Sequence, residues 1–183
     1  MPNEYLVEGQ VVYIKLKGKA AKILHDDSIY AVVDLQHLNK VIQGDWYLGK
    51  TGYAFTYQIS NLVGRLQLHD YIYVGCLQNP KPPNHCVDHI NHDRLDNRST
   101  NLRLATFQEN SWNRSINSTN KKNKYKGVKK ISATNYSASL THNGVKHEIK
   151  NIKTEIEAAE TYNILAKEFF GEFAALNKIC PNL

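Results

Sequence analysis

Between Val87 and Asn110 the chain sets Asp88 beside His89 and then spaces Asp96-Asn97, Asn101 and Asn110 along a largely polar stretch. Its only apolar periodicity comes late, at Leu102, Leu104 and Phe107. A segment meant only to fill a core would not spend such length on groups that are costly to bury. The chemistry open to these residue types is narrow. Histidine titrates near neutrality, so His89 can take a proton from water. A carboxylate with an amide oxygen, here Asp88 and Asn110, suits a hard, oxygen-seeking ion such as Mg²⁺ that keeps several waters. A water made nucleophilic and a cation beside a phosphate are what hydrolysis of a phosphodiester requires. Adjacent residues of a strand point to opposite faces, so Asp88 and His89 can serve one site only at a strand end or a twist.

The set Asp88-His89, Asp96-Asn97, Asn101-Leu102-Arg103 and Asn110 resembles the motif of HNH endonucleases of the homing, phage-encoded kind. The resemblance implies a ββα-metal hairpin whose first strand carries Asp-His and whose helix returns the last Asn. It implies Asp88 and Asn110 as ligands of Mg²⁺ (or Mn²⁺), His89 as the general base, and Asn101 as the residue that ties the hairpin loop together. Arg103 and His85 are candidate phosphate contacts. His92 stands where the family usually has glycine, which is either tolerable at a negative φ or the mark of a small change in loop shape. Family members often have His-Arg where His69-Asp70 stands, so His69 is read as a packed histidine.

Those elements must be positioned by the rest of a 183-residue chain, long enough for one or two modest domains. A hydrophobic content of 42% supports a packed core over general disorder. No apolar run reaches membrane-span length and no basic-then-apolar leader opens the chain, so a soluble, unexported, cytoplasmic protein is expected (the host cell interior, if phage-encoded). Cys76, Cys86 and Cys180 are isolated and form no Cys-x-x-Cys, so neither a structural zinc nor a disulfide framework is expected. Residues 1–60 read as a β-rich scaffold: strands at Val11–Leu16, Ala20–Leu24 and Ile29–Val33, the last two joined by the turn His25–Ser28. Asp34 is positioned to cap a short helix through Val41, and Gly49-Lys50-Thr51-Gly52 to turn a hairpin between Trp46–Leu48 and Tyr53–Tyr57. Leu62–Leu68 reads as a strand, His69–Gly75 as a short helix, and Pro80–Asn84 as a stiff loop delivering the Asp-His strand.

Charge is unevenly spread. Residues 114–153 hold ten Lys/Arg against Glu148 alone, whereas residues 1–113 balance, so this block carries more than the chain's whole excess of +6. That is the electrostatic footprint of a surface facing nucleic acid. Residues 115–124 read as a basic linker. After it come strands at Tyr125–Ile131, Tyr136–Thr141 and Val145–Ile149, with Asn143-Gly144 as the hairpin turn. A helix follows, with Thr154 and Glu157 as a capping box, a face of Ile156, Ala159, Asn163, Ala166 and Phe170, and a stop at Gly171. Tyr125-Lys126-Gly127-Val128, Tyr136-x-Ala138, Glu157-Ala158-Ala159-x-x-Tyr162, Ala166 and Leu176-Asn177 resemble the DNA-binding domain of plant ethylene-response factors. The resemblance implies a three-stranded sheet laid in the major groove, with Lys126, Lys129 and Tyr136 on the DNA face and Lys130 beside them. Arg114, Lys121, Lys122 and Lys124 are suited to lie along a phosphate backbone. Lysine lacks the fork that reads guanine, so affinity rather than base specificity is expected of this sheet.

The expected fold class is α+β: a β-rich N-terminal region (1–60), a ββα-metal module (61–114), the linker, and a C-terminal three-stranded antiparallel sheet on one helix (125–183). The expected partner is double-stranded DNA, with no membrane and no obligate protein partner, bound as a monomer or homodimer. Rival readings are a DNA-binding regulator with a vestigial motif, an RNA-binding protein and a restriction-type endonuclease.

Overall fold

A computed structural model describes residues 2–18, 29–59, 61–115 and 124–179. The expected strand Ala20–Leu24, the turn His25–Ser28, Lys121, Lys122 and Cys180 lie outside them. The chain is α+β, built from small antiparallel sheets, and divides into two compact units, Met1–Phe107 and Gln108–Leu183.

In the first unit β1 (Tyr5–Glu8), β2 (Val11–Lys15) and β3 (Tyr30–Asp34) form one sheet. A 3-10 turn at Leu35–His37 runs into α1 (Leu38–Val41). A second sheet holds β4 (Tyr47–Leu48), β5 (Ala54–Ile59) and β6 (Leu62–Gln67), and α2 (Leu68–Asp70) continues as a π-helical stretch over Tyr71–Cys76. The hairpin of β7 (His85–His89) and β8 (Leu102–Thr106) closes the unit, and α3 (Phe107–Trp112) begins at its end. Alternation buries Val12, Ile14, Ala31 and Val33 from the first sheet, which meet Trp46, Ala54, Ile59, Leu68 and Ile72. Val87 and Leu102 of the hairpin join the same cluster, so one apolar core serves both the β-rich region and the hairpin. Trp46 is fully buried with its indole N–H donated to the Val41 carbonyl at 2.8 Å, as a buried indole requires.

Asp34 precedes the helical turn but makes no cap with its side chain; its carboxylate instead accepts from the Ser99 backbone N–H (2.8 Å) and hydroxyl (2.6 Å). His92 has φ +68, the left-handed region, which rules out the negative-φ alternative at the hairpin turn.

In the second unit β9 (Val128–Ser132), β10 (Asn135–His142) and β11 (Val145–Ile152) form an antiparallel sheet with β10 central. The first strand starts at Val128 rather than Tyr125, because Gly127 turns the chain at φ +70. A Cβ on Gly127 would lie 2.0 Å from the Tyr162 ring, so only glycine fits. Asn143 and Gly144 both have positive φ, as a two-residue hairpin demands. The helix α4 (Glu155–Phe170) carries the full capping box of Thr154 and Glu157, and Gly171 ends it. Its buried face is Ala158, Ala159, Tyr162, Ala166 and Phe170, against Val128, Ala138 and Leu140 of the sheet. Asn163, expected within that face, exchanges two hydrogen bonds with the Asn177 backbone, while the Asn177 amide clasps both backbone groups of Lys126. Trp112 of α3 stacks on Phe170, with ring centroids 4.7 Å apart.

Candidate active site

The hairpin geometry begins with register. Asp88 stands opposite Arg103 and His89 opposite Leu102, so the acid and the imidazole leave β7 on opposite faces. His89 is the last residue of the strand, where the loop can bend groups toward it. Asp88 and His89 are both buried, 6% and 4% exposed. Both the Nε–H and an Nη2–H of Arg103 donate to the same oxygen, Asp88 Oδ2, at 3.0 and 2.9 Å. Arg103, expected at a phosphate, is thus first of all the residue that holds the Asp88 carboxylate.

The loop between the strands is a saturated polar network. Asn101 accepts the Asn91 backbone N–H at 2.9 Å and donates to Asn91 Oδ1 (3.0 Å) and the Asp96 carbonyl (2.7 Å). Asp96 accepts from Asn91 Nδ2 and from Nε and Nη2 of Arg98. Burial alone would raise the Asp96 carboxyl; the bonds from Arg98 and Asn91 outweigh it and hold the group below its ordinary value. The loop is also docked on the N-terminal sheet. The Val32 N–H donates to the Leu95 carbonyl (2.7 Å) and the Asn97 N–H to the Val32 carbonyl (2.8 Å), which adds a parallel bridge at the edge of β3.

That docking orients Asn97, which is 1% exposed. Its Nδ2 donates to the Leu95 carbonyl at 2.9 Å, which turns its Oδ1 to His89 Nε2 at 3.3 Å. An amide oxygen only accepts, so Nε2 carries the proton and the imidazole lone pair is on Nδ1. Burial lowers the pKa of His89, more than the Asn97 bond and the carboxylates of Asp88, Asp93 and Asp96 raise it, so the ring is neutral at pH 7.

Two residues from outside the motif pack on this ring. His69 meets it edge-on at 5.1 Å between centroids, and Tyr53 lies 5.8 Å from it and 5.2 Å from His69. Burial first, then the neighbouring His89, pushes His69 down to about 4, so it stays neutral. Sequence reasoning treated Tyr53 only as a hairpin residue and Asn97 only as part of a pattern; the polar Asp-Asn pair before Arg98 was the one signal that pointed toward Asn97. His85 opens β7, four residues and about 13 Å along the strand from His89, and its Nδ1 lies 3.0 Å from the Pro83 carbonyl. The structure does not bring it to the imidazole. Asn110 lies on α3, whose Gln108 and Trp112 are anchored on Asn143 and Phe170 of the second unit.

Of the basic residues expected at nucleic acid, Lys129 stands opposite Ser137, on the sheet face turned away from Val128, Ala138 and the helix. Lys146, Glu148 and Lys150 share that face, the two ammonium groups lying 3.1 and 3.5 Å from the one carboxylate. Tyr136 is a correction. Alternation places it with Ala138, and its ring packs on the helix side against the cluster of Tyr125, Val128, Ala158 and Ala159. Lys130 stands opposite it, Nζ 6.0 Å from the ring centre. Lys126 donates to the carbonyls of Trp112 (2.6 Å) and Arg114 (2.7 Å), and burial pushes its pKa down to about 8.

A family model described as HNH endonuclease matches residues 79–112, the span from the loop before β7 through α3. A protein of Acanthamoeba polyphaga mimivirus, described as an uncharacterized HNH endonuclease, is 45% identical over 177 residues, covering 97% of this chain and 87% of its own length. No solved structure matches the chain. The hairpin, its oriented histidine and these likenesses define the class: the chain belongs to the HNH endonuclease family. Among the described residues, no helix is long and apolar enough to cross a membrane.

Proposed function

We propose that the chain is a divalent-metal-dependent endodeoxyribonuclease of the homing type, cutting one or both strands of double-stranded DNA. The observation that carries this reading is the bond from His89 Nε2 to Asn97 Oδ1. It fixes the imidazole in one tautomer, burial keeps the ring neutral, and Nδ1 is then the nitrogen that takes a proton from the attacking water. Tyr53 and His69 limit how far the ring can turn.

Whether these residues suit a divalent ion is tested by their donor set. Among the described residues no three His, Cys, Asp or Glu side chains gather as a metal cage. Asp88 supplies one buried carboxylate, oriented through a single oxygen by Arg103. One carboxylate and an amide oxygen, with the remaining positions left to water and phosphate, fit Mg²⁺ or Mn²⁺. In this reading Asp88 and Asn110 hold the ion, Asn110 by its place in the motif. The ion when bound supplies charge stabilisation at the scissile phosphate and the leaving oxygen. Arg103 keeps the Asp88 carboxylate aimed.

The C-terminal residues 125–183 act as an ethylene-response-factor-like anchor in this reading, following the linker and the nuclease module of residues 61–114. Lys129, with Lys146 and Lys150, supplies phosphate contacts, while Arg114, Lys124, Lys121 and Lys122 track the backbone before the sheet. Such contacts position the substrate and carry little sequence information. In this reading the protein works in the cytoplasm, which is the host cell interior if it is phage-encoded, as a monomer or homodimer on DNA.

The test is incubation of supercoiled plasmid and phage DNA with wild type and His89→Ala, each with Mg²⁺, with Mn²⁺ and with chelator. Metal-dependent relaxation or linearisation by wild type, lost in His89→Ala while DNA binding persists, is the expected result. Salt-sensitive duplex binding without any cut, even across a site-selection library, would move the protein to the class of DNA-binding regulators.

A further inference from the structure

The first unit has four arginines, and they fall into two pairs. Arg98 and Arg103 are tied to the carboxylates of Asp96 and Asp88. Arg65 and Arg94 are exposed and have no ion-pair partner among the described residues. Each is instead seated on an aromatic ring: the Arg65 Cζ lies 4.3 Å from the centre of Phe55 and the Arg94 Cζ 5.0 Å from that of Tyr53.

Both guanidinium groups flank one tight turn. The Gly49 N–H donates to the Tyr53 carbonyl and the Gly52 N–H to the Gly49 carbonyl, each at 2.9 Å. A Cβ on Gly49 would come within 3.3 Å of Arg65 Nη2 and 3.4 Å of the Phe55 ring. Gly52, at φ +81, lies under the Arg94 side chain, whose Nη1 donates to the Thr51 carbonyl at 2.6 Å. Tyr53 and Phe55 are two residues apart along extended chain, so their side chains leave the same face about 7 Å apart. The Tyr53 ring that carries Arg94 is also the ring packed against His89. The turn, the two rings and the two cations therefore form one structure that begins at the proposed general base.

We propose that Arg65 and Arg94 are a phosphate clamp that grips the nucleic-acid strand next to the bond His89 acts on. The proposal rests on the nucleic-acid reading of the site. A guanidinium presents a planar fork of donors that matches phosphate oxygens. Seating it on a ring holds that fork flat before the ligand arrives, so little side-chain freedom is lost on binding. The strand is the occupant because the clamp is continuous with the site proposed to act on phosphodiesters and, among the described residues, no carboxylate neutralises either cation.

The experiment is fluorescence anisotropy of a labelled, short mixed-sequence DNA duplex with the full chain, in chelator so that nothing is cut, from about 50 to about 200 mM salt. Arg65→Gln and Arg94→Gln are each expected to reduce the slope of log K against log salt by about 0.9, and the double variant by about twice that. Lys17→Gln is the control, because Lys17 is already paired with Asp45 and its loss should leave the slope alone. Phe55→Leu keeps both charges and should weaken binding with the slope unchanged. A double variant that binds with the wild-type slope overturns the clamp while leaving the nuclease reading standing. Wild type that shows no salt-dependent binding to the duplex overturns both.

Discussion

Asp96 in the hairpin loop and Lys126 at the entry to the second unit's sheet are both charged groups drawn away from water, and they are satisfied by opposite means. Asp96 is met by other side chains, Arg98 and Asn91, and stays ionised below its ordinary range. Lys126 gives its protons to two backbone carbonyls, and burial weakens its hold on the charge, down to about 8. The difference extends to the units around them. The loop of the first unit is held by side-chain polar bonds centred on Asn91, Asp96 and Asn101, and Asn97 extends one of them to Nε2 of His89. The second unit is held by close apolar contact, alanines and Tyr162 of α4 against the sheet and against Gly127, while Lys129, Lys146 and Lys150 lie on the far face. A unit that must fix one imidazole needs directional bonds; a unit that only presents charge needs a stiff support behind it.

The contrast can be broken hardest at Gly127. Gly127→Ala places a methyl against Tyr162 in a left-handed backbone, and a loss of more than about 4 kcal/mol is expected. Limited proteolysis should then cut within residues 108–183 while residues 1–107 stay protected; simultaneous loss of both would show that the two units do not fold separately. Asn101→Ala is next. It leaves the Asn91 N–H and the Asp96 carbonyl without their partner, at a cost of about 2–3 kcal/mol in a urea melt, and should lower cleavage as the loop loosens. Asn97→Leu is expected to leave stability nearly as Asn101→Ala leaves it or better, yet to reduce kcat about tenfold to a hundredfold with KM little changed, because tautomer control is lost while substrate contacts remain. An unchanged kcat would show that Asn97 only supports the loop.

The smallest effect is expected at Lys126. Its folded pKa, near 8, is below the ordinary 10.5, so the unfolded chain holds the proton longer between those values. Wild type should therefore gain stability as pH rises from about 8 to about 10.5 and lose that gain as pH falls back through 8. Lys126→Met should show no such slope. The two carbonyl bonds favour the charged form and make the slope shallow.

The hairpin was legible because its signals are local: Asp-His at a strand end, an asparagine closing a loop ten residues from Asn91, and strands paired by one short connection. So was the C-terminal sheet and helix, where Asn143-Gly144 and the Thr154–Glu157 box act within a few residues. Tyr136 was misplaced because a resemblance was followed where strand alternation with Ala138 already pointed to the helix side. The conformation of His92 stayed open, because residue type alone does not reveal a left-handed turn that its surroundings hold in place.

By itself the sequence determined the family's chemistry, the α+β class and the order of the elements, since each rests on spacing of a few residues and on periodicity. Only the tertiary structure decided which groups surround the imidazole. Val32 sets Asn97 from 65 positions away, and Tyr53 and His69 reach His89 from separate elements. It likewise decided which arginines are spent on carboxylates and which remain seated on rings. The physical reason is that a hydrogen bond or a ring contact acts over a few ångströms in space, and chain separation carries no record of which distant residues the core will draw together.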